Sequence, residues 1–158
     1  MIVQQATVTI LRRALLFILV VGSVGTIVEL LLLKHTDGVW QVVPLVLNGV
    51  ILLVLVWYGV ARSAAAIRAL QVILVLCFVS SGVGLVQHFR GNLVYSQESN
   101  PSLSGRELYV EALMGSTPTL APGMMAQLAL IGLAFAFRHP SLRGPLRDDD
   151  VPLPRVDE

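Results

Sequence analysis

Four runs of about twenty apolar residues constrain this chain more than anything else in it. They extend from about Ala14 to Leu33, Val39 to Val60, Ala69 to Phe89 and Thr119 to Phe137. A helix needs ~20 residues to cross ~30 Å of hydrocarbon. In lipid every backbone polar group must be satisfied within the protein, which leaves helices or closed barrels. Runs of Leu, Val, Ile and Ala without a period of two select helices. The expected fold is an all-α, four-helix transmembrane bundle. Composition agrees: only 13% of the residues are charged, against about 25% in ordinary soluble domains.

The first run follows Arg12-Arg13, which resembles the start of a signal peptide. Its apolar residues continue to Leu33 with no small-residue cleavage pattern, so an uncleaved helix is expected. Basic residues then set the orientation. With the N-terminus in the cytoplasm, Arg12, Arg13, Arg62, Arg68, Arg138, Arg143, Arg147 and Arg155 all lie inside. Only Lys34, Arg90 and Arg106 lie outside. That is the positive-inside pattern, with both termini cytoplasmic (N-in, C-in), as in a bacterial inner membrane. Trp40 and the Trp57-Tyr58 pair bracket the second helix as interfacial anchors.

Residues 34–38 and 61–68 are short connections, which makes consecutive helices antiparallel neighbours. Residues 90–118 form a long outer loop between helices 3 and 4. In it Ser104 and Glu107 have capping-box spacing before a short amphipathic helix over about 105–114. Residues 1–138 thus form the transmembrane domain. The Pro- and Asp-rich segment 139–158 is expected to be an extended cytoplasmic tail, with His139 an interfacial residue.

The formal net charge of +1 supplies no basic footprint for nucleic acid. Cys77 is the only cysteine, which excludes an internal disulfide and a thiolate metal cluster and suggests a small apolar filler. There is no GxSxG, P-loop, HExxH or dinucleotide fingerprint. Catalysis would need a bound cofactor.

The informative residues are polar ones inside the apolar runs. Gly22, Gly25, Thr26 and Glu29 share one helical stripe, so Glu29 is expected to point into the bundle, with Leu15, Phe17, Val24 and Leu31 facing lipid. Similar stripes hold Ser81, Gly84 and His88 in the third helix. Gln41, Pro44 and Asn48 mark the second, and Pro122, Gly123 and Gln127 the fourth. Aligning "VGTIVE" with "VGLVQH" sets Glu29 against His88, as in a parallel repeat of two hairpins. Glu29, His88, Asn48 and Gln127 all fall in the outer half of the bundle. An acid at a helix centre costs about 2.5–3.5 kcal/mol on insertion, and intramembrane acids are functional candidates by default.

Two roles follow. The first is a non-enzymatic accessory or interaction subunit, assembled as a homo-oligomer or in a larger membrane complex, with Glu29, His88, Asn48 and Gln127 as interhelical contacts. The second is a proton-, metal- or small-ligand-binding membrane protein, and so a cofactor-dependent enzyme or a transporter. Glu29 and His88 would form its base, with His35, Asp37, Gln87, Asn92, Glu98 and Glu111 near its mouth. As a divalent-metal set, Glu29, His88, His35 and Glu98 would suit Zn, Fe or Cu(II). No pair has metal-motif spacing, and bis-histidine haem ligation by His35 and His88 is disfavoured.

Overall fold

The computed structural model describes residues 2–115 and 117–142. In chain order the helices are α1 Ile2–Leu32, α2 Val39–Ala61, α3 Ala64–Ser99, α4 Gly105–Leu113 and α5 Gly123–Ala136, followed by a 3-10 turn at Pro140–Leu142. Among the described residues there is no strand. The helices α1, α2 and α3 are each long and apolar enough to cross a membrane. Phe17, Leu53, Val60 and Phe78 lie exposed on their outer faces. So large an apolar surface is solvated by lipid rather than water. The chain is an integral membrane protein.

The four apolar helices close a ring. The first, α1, packs on α2 and α5, while α3 packs on α2 and α5 and carries α4 along its flank. At one end of the ring, here the hairpin end, lie the α1–α2 turn, α4 and residues 117–122. At the other, the arginine end, lie Arg12, Arg62 and Arg138.

Local chemistry closes each connection. After α1, Lys34 takes a left-handed φ of 51°, and the His35 N–H bonds the Leu30 carbonyl at 2.9 Å. Gly38 then adopts φ 137° and ψ 161°, a region essentially open to glycine alone. The α2–α3 link is only Arg62 and Ser63. Arg62 is left-handed with its N–H on Tyr58 O, and the Ser63 hydroxyl caps α3 by accepting from the Ala66 N–H.

Two helices depart from the lengths read off hydropathy. The 36 residues of α3 span about 54 Å and continue ten residues past the apolar run. That continuation is held by α4 instead of lipid. Conversely, α5 has 14 residues, or about 21 Å, and begins four residues later than expected. Pro122 stands at its N-cap, and Pro118 and Pro122 deny backbone donors to any earlier helical turn. The expected fourth full-length span is therefore a short helix preceded by a structured loop.

The apolar core, including Leu19, Ile51, Ile67, Leu70, Leu74 and Ala129, occupies the middle of the ring and its arginine end. Cys77 is buried within it, its thiol directed at Met125 O at 3.8 Å. Leu15, expected to face lipid, packs against this core. Gly132 is a point of close helix approach. A Cβ there would lie 2.6 Å from Leu74 Cδ1 and 3.1 Å from Leu19 Cδ2.

The arginine end is tied by side chains. Arg12 donates from Nη2 to the carbonyls of Phe137 and Arg138 at 3.3 and 3.1 Å, and Gln71 donates to Ala136 O at 3.4 Å. The Arg12 bonds satisfy carbonyls just past the end of α5, and the Gln71 bond adds to that of the His139 N–H on Ala136 O. His139 is buried rather than interfacial. It packs edge-on against Tyr58, their ring centroids 5.3 Å apart. The expected tail is thus folded through Leu142, and residues 143–158 lie outside the described part.

Candidate functional site

At the hairpin end the ring opens into a groove of about 660 Å³. The α1–α2 turn supplies His35, Asp37 and Gly38, and the start of α2 supplies Val39, Trp40 and Gln41. Across from them α3 presents Gly84, Gln87, His88, Arg90, Gly91 and Val94, with Thr117 at the rim. Each wall follows from a local rule. The glycine-only conformation of Gly38 turns the chain sharply enough to hold His35 and Trp40 on one side. The Asp37 N–H donates to the Gln41 side-chain oxygen at 2.9 Å, which fastens the turn to α2.

The imidazoles of His35 and His88 face each other across the groove, ring centroids 6.2 Å apart and planes inclined by 53°. His88 Nδ1 lies 3.0 Å from Pro118 O. A carbonyl only accepts, so Nδ1 carries the proton and Nε2 of the neutral ring is left as an acceptor. Pro118 is held in place by close approach of its loop to α3. Ser81 Oγ donates to Pro122 O at 2.6 Å, and a Cβ on Gly84 would sit 3.0 Å from Pro122 Cβ. Pro44 lacks an N–H, so the carbonyl of Trp40 has no intrahelical donor. The groove lining thus carries two side-chain acceptors, the Asp37 carboxylate and His88 Nε2.

Asn92, one turn beyond His88, holds the rest of this end together. Its amide nitrogen approaches Ala112 O at 3.0 Å, Thr117 O at 2.7 Å and Thr119 Oγ1 at 3.1 Å. Its oxygen accepts from the Thr117 N–H at 3.2 Å. One buried carboxamide thus joins α3, α4 and the loop before α5.

The residues singled out from sequence divide. His88, His35, Asp37 and Gln87 line the groove. Glu29 does not; it is exposed on α1. Gly22 packs against Leu128 of the antiparallel α5. Seven residues further along α1, Glu29 is level with Ala121, before α5 begins. The small-residue face has lost its neighbour there, so the expected inward carboxylate and its pairing with His88 are not formed. Asn48 is buried, its amide nitrogen on Pro44 O at 2.9 Å, and its oxygen has no hydrogen-bond partner. The hydroxyl of Ser23 is likewise buried and unpartnered. The two stand at matching depth, ten residues before Leu33 and ten after Gly38. Gln127 and Glu98 are exposed, and Glu98 is ten residues, about 15 Å, along α3 from His88. Of the proposed metal set only His35 and His88 meet. Among the described residues no group of three or more His, Cys, Asp or Glu side chains is placed to hold a metal ion.

Sequence reading missed two groups. His139 Nδ1 accepts from the Ser141 N–H at 3.2 Å, which puts the ring proton on Nε2, 3.2 Å from Tyr58 Oη. The same oxygen accepts from Arg62 Nη1 at 3.4 Å. Burial, followed by the charges of Arg12 and Arg62, lowers the pKa of His139 from its ordinary 6.5. From sequence, Asn92 reads only as a polar residue near the mouth. Its hydrogen bonds to a loop some twenty-five residues later leave no local trace.

Fold and groove together define a helical integral membrane protein with an open, acceptor-bearing cleft at one end. Comparison with protein-family models, curated proteins and solved structures finds no match.

Proposed function

We propose that this protein binds a lipid-soluble small molecule in the groove between the α1–α2 turn and α3. The observation that carries this reading is the pair of opposed imidazoles inside a cavity of about 660 Å³. That volume falls within the ~300–1,000 Å³ typical of small-ligand sites, which combine apolar walls with a few convergent polar groups. Val39, Trp40, Val83 and Val94 supply the walls. The arginine end faces the cytoplasm by the positive-inside rule, so the groove opens at the outer surface.

The test is native mass spectrometry of protein extracted from its membrane in mild detergent. A Cβ on Gly91 meets open space, so Gly91→Phe fills the groove without disturbing α3. Wild-type protein should carry an added small-molecule mass that Gly91→Phe loses. Equal spectra for the two proteins would overturn the reading and favour the accessory-subunit role, in which the polar residues only order helices.

A further inference from the structure

We infer that the groove takes a phospholipid with a primary ammonium head group, phosphatidylethanolamine in chemical class. This rests on the groove being a ligand site and adds which ligand it selects.

The first observation is a shallow, open depression of about 470 Å³ on the outer face of α3. It is walled by Val79, Gly82, Val83, Val86, Gln87 and Arg90. Val83, Gln87 and Arg90 line both the groove and the depression, so the two meet there. A trough of three valines and an open-sided glycine descends from that seam along a helix that faces lipid. Its shape and chemistry suit an acyl chain. No carboxylate lines the trough, and the cation at its head is Arg90, whose guanidinium fork matches phosphate oxygens.

The second observation is what lies past the seam. The groove offers acceptors: Asp37 contributes a carboxylate, and His88, with Nδ1 committed to Pro118 O, leaves Nε2. A second anion would meet the Asp37 charge. An alcohol would leave that charge uncompensated. A primary ammonium brings three donors and one positive charge to these acceptors. Arg90 and Asp37 are the oppositely charged residues of the groove lining, and they complement a zwitterion in order: tail, phosphate, ammonium. A quaternary ammonium has the charge without the N–H donors, so phosphatidylcholine is the discriminating comparison.

Trp40 lies in the groove and reports on it. The chain has two tryptophans, so Trp57→Phe leaves Trp40 as the only one. The full-length protein is placed in phosphatidylcholine nanodiscs. A minor fraction of lipid then carries bromine near the head-group end of one chain, on an ethanolamine, glycerol or choline head. Brominated phosphatidylethanolamine should quench Trp40 roughly threefold more effectively than the other two, the worth of one partly exposed ion pair with its donors. Asp37→Asn should remove that preference, bringing quenching by phosphatidylethanolamine down to that by phosphatidylcholine. Arg90→Gln should weaken quenching by all three. Preference for the glycerol head, or equal quenching that Gly91→Phe still reduces, would overturn the head-group assignment and leave the groove a ligand site. Equal quenching indifferent to Gly91→Phe would overturn both.

Discussion

His35 and His88 stand 6.2 Å apart, ring centre to ring centre, although fifty-two residues of chain separate them and no motif spacing links them. The α1–α2 turn brings one, α3 the other, and Pro118 O holds the His88 ring by Nδ1.

The tautomers of two histidines should be opposite. His88 carries its proton on Nδ1, whereas the acceptor role of His139 Nδ1 toward Ser141 leaves the proton on Nε2. Nitrogen-15 chemical shifts of histidine-labelled protein above pH 8 check this. The same tautomer at both rings would contradict the hydrogen bonds.

Docking of residues 139–142 should weaken in acid. His139 has its pKa lowered from 6.5 by burial and by Arg12 and Arg62. Above that value the docked and undocked states are both neutral, and pH has no effect through this group. As pH falls below 6.5 the undocked segment takes up a proton that the docked one resists. Docking therefore loses free energy until the lowered pKa is reached. Hydrogen exchange at the Leu142 amide, which bonds His139 O at 2.9 Å, should accelerate relative to core amides over that window. His139→Gln should abolish the acid-dependent part.

Asn92→Ala should be among the most damaging single changes at the hairpin end. It strips partners from the Thr117 N–H and from the carbonyls of Ala112 and Thr117. At about 1–3 kcal/mol for a buried group left unpaired, the melting midpoint in detergent should fall by roughly 5–10 °C. Asn92→Asp keeps the volume but removes both N–H donors, so it should rescue little.

Glycines that look alike in sequence should separate on substitution. Gly132→Ala forces a methyl against Leu74 and Leu19 and should destabilise by about 1–3 kcal/mol. Gly25→Ala meets nothing within 4 Å and should raise stability by about 0.5–1 kcal/mol through helix propensity. Midpoints that shift together would show that α5 does not sit on α1 and α3 as described.

Glu29→Gln should leave the thermal midpoint within about 2 °C of wild type, as expected for an exposed side chain without structural partners. A large loss would mean that the carboxylate is used inside the bundle after all.

Some of the site was legible and some was not. His88 stood out because a histidine at the end of an apolar run is conspicuous, and the turn polarity of His35 and Asp37 marked a mouth. Glu29 misled for a definite reason. Helical periodicity places it with Gly22 correctly, but says nothing about where the neighbouring helix stops. Asn92 and His139 were undervalued because their worth lies in partners far along the chain. His139 needs Tyr58, eighty-one residues earlier.

From sequence alone came the lipid solvent, the helical class and the antiparallel order of α1, α2 and α3. Hydrophobicity acts on each segment separately, and short connections leave adjacent helices little choice. Tertiary structure alone decided the length of α5, the outward turn of Glu29, the meeting of His35 with His88, and the burial of His139 and Asn92. Those outcomes depend on axial register between helices. Register is set by close contacts such as Gly132 on Leu74 and by hydrogen bonds between distant residues, which no local pattern of residues encodes.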